Sequence, residues 1–221
     1  MRIGIFGTGM VGEALASKCV ARGHEVMMGS RSATGEAVRK WVEAAGEGAK
    51  AGSFQEAAAF GDLLFSCLRG DIALETVSAI DPAALAGKIL IDVSNPLVAI
   101  EGEAFPSLKY GVDDSLGERI QAAFPETFVV KALNTLNCDV MVDPGRVAGA
   151  HNLFIAGNND QAKVSVIGFL ADNFGWPRDN VIDLGGISSA RATELLMPLW
   201  MRLWQSAGHA DFNWHIQGYR K

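Results

Sequence analysis

Apolar residues along the chain fall into two alternating kinds of run. Residues 3–6, 63–68, 88–94 and 128–134 are almost continuously apolar, without the polar residue at every second position that a half-exposed strand shows. Such runs predict strands covered on both faces. Helical patterns lie between them. Residues 34–45 place Ala37, Val38, Trp41, Val42 and Ala45 on one stripe, as in a helix with a single buried face. Ser53 stands three residues before Glu56, which predicts a capping box that opens a brief helix ended by Gly61. A short run at 49–52 is a candidate strand, 71–80 and 115–124 predict two more helices, and Pro82 begins a turn.

The same alternation continues past Asn152. Residues 153–157 predict a strand, 160–174 a helix capped by Asp160, 181–185 a short strand, and 188–207 a long helix kinked at Pro198. Residues 97–114 carry no period and hold Gly102, Pro106 and Gly111. That is a loop longer than most and a candidate lid or substrate loop. The whole pattern predicts an α/β fold with a doubly wound, mostly parallel sheet. Residues 1–150 would form a nucleotide-binding domain. Residues 151–221 would form a small C-terminal lobe on the same body, ending in a long helix and completing an acceptor cleft.

The turn after the first strand carries the most chemistry. It reads Gly7-Thr8-Gly9-Met10-Val11-Gly12 and leads straight into a helical pattern. In a dinucleotide-binding unit the first glycine permits the tight turn, the second lets backbone approach a pyrophosphate, and the third lets helix and strand pack closely. The phosphates then sit on the helix N-terminus. Glycines also end strands for purely structural reasons, but these lie between two strand-like runs. The second strand ends in Gly29-Ser30-Arg31, where an NAD site would place a carboxylate on the ribose. A hydroxyl and a planar, permanently charged guanidinium suit a 2′-phosphate instead, so the cofactor is expected to be NADP. Glu25, the nearest carboxylate, precedes that strand's apolar residues and belongs to its far end.

Composition narrows the partners. The 221 residues carry a net charge of −6 with no run of five basic residues, which argues against nucleic acid. Hydrophobic residues make up 49% of the chain, ample for a core, yet no stretch of eighteen apolar residues predicts a membrane span. No signal-like segment opens the chain, so a cytoplasmic location is expected. Cys19, Cys67 and Cys138 are odd in number and outside any CxxC pattern, and the four histidines lack HExxH spacing. Reduced thiols and no metal are expected.

No His, Lys and carboxylate fall together at the strand ends, so no catalytic acid or base is expected. Hydride transfer between two bound rings needs mainly positioning. Asn95 and Asn134 each follow an apolar run at the expected carboxyl end of a strand, where ligands bind in open α/β sheets. Their amides suit a nicotinamide carboxamide or a ring carbonyl, with turn former as the plain alternative. Lys131 sits inside an apolar strand, either as a catalytic group or carried to the surface by strand alternation. Arg191 is a candidate for an anionic acceptor tail or an ordinary surface cation. Trp200, Trp204 and Trp214 suit core or subunit contacts, with stacking on a bound ring as the alternative, and a homodimer through the C-terminal helix is expected. An NADPH-dependent oxidoreductase of a small-molecule acceptor thus stands against a non-catalytic NADP sensor. A β-hydroxyacid dehydrogenase is a third reading, in which Lys163 would serve as the positioned lysine.

Five segments carry a family resemblance: GTGMVGEALA, GHEVMMGSR, DVSNP, VVKALNT and ARATELLMPLWMRL. Together they span nearly the whole chain, which resembles the NADP oxidoreductases that use coenzyme F420 and the bacterial and membrane-reductase domains related to them. The resemblance implies a Rossmann domain with a small C-terminal lobe, the nicotinamide and a deazaflavin being stacked in the cleft between. It implies Thr8, Gly9, Met10 and Val11 at the pyrophosphate, Ser30 and Arg31 at the 2′-phosphate, and Cys67 and Leu68 near the nicotinamide ribose. It further implies Asn95 and Pro96 beside the nicotinamide, and Ala132, Leu133 and Asn134 along the acceptor side. The Asn134-Thr135 ending is the one that the membrane-reductase relatives carry. F420, a flavin such as FAD or FMN, and an unrelated small carbonyl substrate are therefore all open as acceptors.

Overall fold

The computed structural model describes residues 1–219. Its first half follows the apolar runs: β1 (Arg2–Phe6), α1 (Met10–Ala21), β2 (Glu25–Ser30), α2 (Glu36–Ala45), β3 (Ala49–Ser53), α3 (Phe54–Phe60), β4 (Leu63–Ser66), α4 (Ala73–Ser78) and β5 (Ile89–Asp92). A small ribbon comes next, β6 (Leu97–Val98) with β7 (Ser107–Leu108), then α5 (Leu116–Ala123), β8 (Phe128–Ala132) and α6 (Cys138–Val142). The chain closes with β9 (Leu153–Gly157), α7 (Asp160–Phe174), β10 (Val181–Asp183), α8 (Ala190–Leu195) and α9 (Met197–Ala207).

Eight strands form one sheet in the order β10-β9-β8-β5-β4-β1-β2-β3. Every pairing is parallel except β8 with β9. From β1 the chain winds outward to β2 and β3, then returns to β4 and winds the other way. The strand order thus reverses between β1 and β4, and open α/β sheets bind ligands beyond the carboxyl ends of the strands at that point. Both faces are covered, which is why the strands read as continuous apolar runs. Ile3, Ile5, Phe65, Ile91 and Val130 pack toward α1, α2, α6 and α7. Phe6, Leu64, Leu90 and Val129 pack toward α3, α4 and α5. Gly4 lets α3 lie close on β1, since a Cβ there would stand 2.3 Å from the Ala57 carbonyl oxygen.

The capping box at α3 forms as expected: Ser53 Oγ accepts from the Glu56 amide at 3.2 Å, and the Ser53 amide donates to Glu56 at 2.7 Å. Three local expectations change. The 97–114 segment is not featureless: Leu97 pairs with Leu108 and Val98 with Ser107, in strands too short to leave a period in the sequence. Helix α7 is capped by Asn159, whose side chain accepts from the Ala162 amide, while Asp160 is its first helical residue. The long C-terminal helix is two helices, α8 and α9, meeting at Leu196. Pro198 has no amide hydrogen to donate to residue 194 and so starts a new helix instead of bending an old one.

Candidate functional site

At the switch point the glycine turn forms a groove. Gly7 has φ +119°, a conformation open to glycine, and a Cβ on it would lie 2.7 Å from the Cys67 carbonyl oxygen at the end of β4. A Cβ on Gly12 would lie 2.2 Å from the Gly7 oxygen, so α1 packs directly on the turn. Gly9 differs: a Cβ there would meet nothing within 4 Å. Its position caps α1 without a side chain, leaving the first-turn amides of a twelve-residue helix facing open space. That is the donor set an anion takes.

The groove, about 220 Å³, is lined by Gly7, Thr8, Gly9, Ser30, Arg31, Cys67 and Leu68 among others. Arg31 is exposed and makes no ion pair among the described residues, so its guanidinium is available. The Ser30 hydroxyl donates to the Ser32 carbonyl at 2.7 Å and would have to rotate to donate to a phosphate. Glu25 lies at the opposite end of β2 and pairs with Lys50. These residues fit a 2′-phosphorylated dinucleotide.

Cys67, Leu68 and Arg69 also line a second, larger cavity of about 430 Å³. Its walls are Val11, Val93, Leu97, Ala99, Pro106, Leu136, Met141 and Met197, with Ser94, Asn95 and Asn134 as further polar members. No His, Lys, Tyr, Asp or Glu lines it. Burial, with the Asp92 charge second, pushes the Cys67 thiol above its ordinary value, which disfavours the thiolate. Residues 97–108 supply one wall. The ribbon is anchored by Lys109, whose Nζ donates to the Asp71 carbonyl at 2.9 Å, and by Arg202, stacked 4.4 Å from the Phe105 ring centre.

Asn95 and Asn134 meet in this cavity and hold each other. Asn95 Nδ2 donates to the Asn134 carbonyl at 2.7 Å, and Asn134 Nδ2 donates to Asn95 Oδ1 at 2.9 Å. Neither amide can flip without losing a bond. Each keeps a second N–H, and Asn134 Oδ1 has no partner among the described residues. Leu133 directs this arrangement: at φ +66° it is the one non-glycine residue with positive φ among those described. That conformation is disfavoured for a bulky side chain, and such strain gathers at functional sites.

Some expected site residues fall elsewhere. Ala132 and Leu133 are fully buried in the core and do not line the cavity. Alternation along β8 sends Ala132 toward α6, and the turn at Leu133 folds its side chain inward, leaving Asn134 alone to reach the acceptor side. The Met10 side chain is 81% exposed and does not line the groove, while its backbone amide belongs to the first turn of α1. Pro96 is buried beside the cavity and accepts from the Lys109 amide through its carbonyl. Arg191 is bound bidentately to Glu118, at 2.8 and 2.6 Å, and is unavailable to an anionic ligand. Lys163 is held by Asp160 and Asp183. Lys131 does not reach the surface: it is 1% exposed and paired with Asp92 and Glu194. Asp92 and Lys131, opposite charges in the last turns of two apolar runs, were the visible signal of that pair. Arg69 and Gly70 at the cavity mouth carried no signal.

A phosphate groove at the switch of a doubly wound sheet, running into an apolar cavity, defines an NADP-dependent oxidoreductase of Rossmann type. Comparison with known proteins agrees: residues 2–96 match the family model "NADP oxidoreductase coenzyme F420-dependent". A solved structure of a candidate F420-dependent NADP reductase from Arthrobacter sp. FB24 is 39% identical, with a TM-score of 0.90 over 98% of this chain and 99% of that one. The F420-dependent NADP reductase of Methanocaldococcus jannaschii is 29% identical over 92% of both chains. Metalloreductase STEAP3 of Rattus norvegicus is 29% identical over 90% of this chain and 38% of its own length. The chain belongs to the coenzyme F420-dependent NADP oxidoreductase family. Among the described residues no helix is long and apolar enough to cross a membrane.

Proposed function

We propose that this protein transfers a hydride between NADP(H) and a flat ring acceptor of the deazaflavin or flavin kind, with coenzyme F420 the first to be tried. The observation that carries this reading is the cavity: about 430 Å³, largely apolar, and without a His, Lys, Tyr, Asp or Glu in its wall. Reduction of a ketone or imine leaves charge on one atom and gains from a positioned acid. A deazaflavin or flavin spreads that charge over its ring, takes the hydride at one ring atom, and draws the one proton that balances it from water. Such an acceptor needs a dry, shaped site more than an acid. The names of the Arthrobacter and Methanocaldococcus relatives point to the same acceptor.

In this reading the first-turn amides of α1 hold the pyrophosphate, Ser30 and Arg31 the 2′-phosphate, and Asn95 with Asn134 the nicotinamide. Residues 1–150 carry the nucleotide, and the lobe beyond residue 151 brings Met197 to the acceptor wall. The lobe also supports a homodimer. Leu195, Leu199, Leu203 and Trp204 are 38–50% exposed along α8 and α9, and a twofold axis lets one such stripe serve both partners.

The test is NADPH oxidation with F420, FMN, FAD, a quinone, a small ketone and an imine offered separately. Deuterated NADPH then follows the hydride onto the ring carbon of F420; a flavin takes it on nitrogen, where the label exchanges with water, so there an isotope effect on the rate reports the transfer. F420 reduction with label transfer, or flavin reduction with an isotope effect, is expected. Turnover confined to a small ketone or imine would overturn the acceptor class, and NADPH binding without turnover of any acceptor would favour a sensor.

A further inference from the structure

Lys131 lines neither groove nor cavity, yet three acceptors converge on it. Its Nζ donates to Asp92 Oδ2 at 2.9 Å, Glu194 Oε1 at 2.8 Å and the Ser94 carbonyl at 2.5 Å. Asp92 pairs in register with Lys131 across β5 and β8, so the two side chains share a face of the sheet. Burial alone would lower the ammonium's pKa, but the charges of Asp92 and Glu194 outweigh it and raise the value. The lysine is charged at any physiological pH.

We propose that Lys131 is a positioning residue: its ammonium fixes the end of β5, and so the Asn95–Asn134 amide pair, and ties α8 to that same point. This rests on the reading above that the nicotinamide lies against those two asparagines. Ser94 is clamped on both sides, since its amide donates to Asp92 Oδ1 at 3.1 Å while its carbonyl receives Lys131. The next residue is Asn95. Asn134 follows Lys131 by three residues, through the left-handed turn at Leu133. One ammonium therefore sets the strand end under each partner of the amide pair. On its other side Glu194 accepts from the amides of Leu116 and Gly117 at 3.0 and 3.2 Å. Helix α8 is thereby joined to the start of α5 and to β8, two residues before the break that leads into Met197 on the cavity wall.

Apolar residues can replace a whole buried ion pair at little or no loss of stability, whereas removing one partner alone is strongly destabilising. What the ammonium adds is direction, because three donors at one atom define where Ser94, Asp92 and Glu194 stand.

The test compares binding of NADP⁺ with that of 2′,5′-ADP, which keeps the 2′-phosphate and the adenosine-side phosphate and lacks the second phosphate, its ribose and the nicotinamide. Calorimetry is run on wild type, Lys131→Met, Asp92→Asn and Asn134→Ala, with thermal melting alongside. Loss of about one well-made hydrogen bond to the ring corresponds to roughly tenfold. Lys131→Met should therefore weaken NADP⁺ about tenfold and leave 2′,5′-ADP within about twofold. Asp92→Asn keeps the shape and should move the ratio in the same direction by less; it decides the matter if Lys131→Met does not fold. Parallel losses for both ligands, or an unchanged ratio in both charge variants while Asn134→Ala shifts it, would overturn the positioning role. An unchanged ratio in Asn134→Ala would instead place the nicotinamide elsewhere and overturn the reading of the cavity.

Discussion

Gly70 offers a direct test of how tightly the cavity is built. A Cβ on this residue would lie 1.9 Å from the Asn95 carbonyl oxygen and 2.6 Å from the Pro96 nitrogen. Both are backbone atoms, so no rotamer change relieves the clash. A carbon–oxygen contact needs about 3.3 Å, so Gly70→Ala must drive the two segments apart by roughly 1.4 Å. Overpacking of this kind costs about 1–3 kcal/mol of stability, which leaves a folded protein to assay well below its melting temperature. The displaced residue is Asn95, one half of the amide pair. A shift of about 1 Å in a group that aligns reacting atoms can cost about 10²-fold in rate, so turnover should fall by about that factor. Binding of 2′,5′-ADP, seated in the neighbouring groove, should change little. The assay is NADPH oxidation with whichever acceptor the screen returns, with melting temperature and 2′,5′-ADP affinity measured on the same preparation. Wild-type turnover in a folded Gly70→Ala protein would refute the claim that the end of β5 aligns the reaction.

Four further outcomes are expected. Arg31→Ala should weaken NADPH by roughly ten- to a hundredfold, the worth of a charge-assisted pair, and leave NADH nearly unchanged; equal wild-type affinity for the two cofactors would count against the 2′-phosphate role. Gly9→Val should abolish cofactor binding in calorimetry with the melting temperature held, because a Cβ there meets no protein atom within 4 Å and points into the space proposed for the phosphates. Hydrogen bonding to Arg191 holds the Glu118 carboxyl below its usual range. A carboxyl depressed in the fold contributes stability above its unfolded pKa, near 4.3, and loses it as pH falls through the lower folded value; acid melting of Glu118→Gln should lack that component. Light scattering should give twice the chain mass for wild type and the single mass for Leu199→Glu, and a wild-type monomer at micromolar concentration would remove the dimer.

Much of this architecture was written locally. Continuous apolar runs marked β1, β4, β5 and β8, because strands covered on both faces need no polar alternation. The glycine spacing of Gly7, Gly9 and Gly12 marked the phosphate turn, because backbone conformation and close approach are properties of single residues. Ser53 with Glu56 marked a helix start for the same reason. What the sequence could not determine depends on which distant residues meet. Lys131 reads alone as a surface cation or a catalytic group; only the pairing of β5 with β8, and the return of α8 over them, supplies the carboxylates that hold it inside. Asn95 and Asn134 are 39 residues apart, and their reciprocal bonds exist only once both strands end at the same edge. Ala132 and Asn134 differ in fate because one left-handed residue, Leu133, reverses the direction of the chain between them. Periodicity and turn chemistry act over a few residues, whereas charge pairing, cavity walls and strand-end geometry are long-range contacts that come into being only when the sheet is assembled.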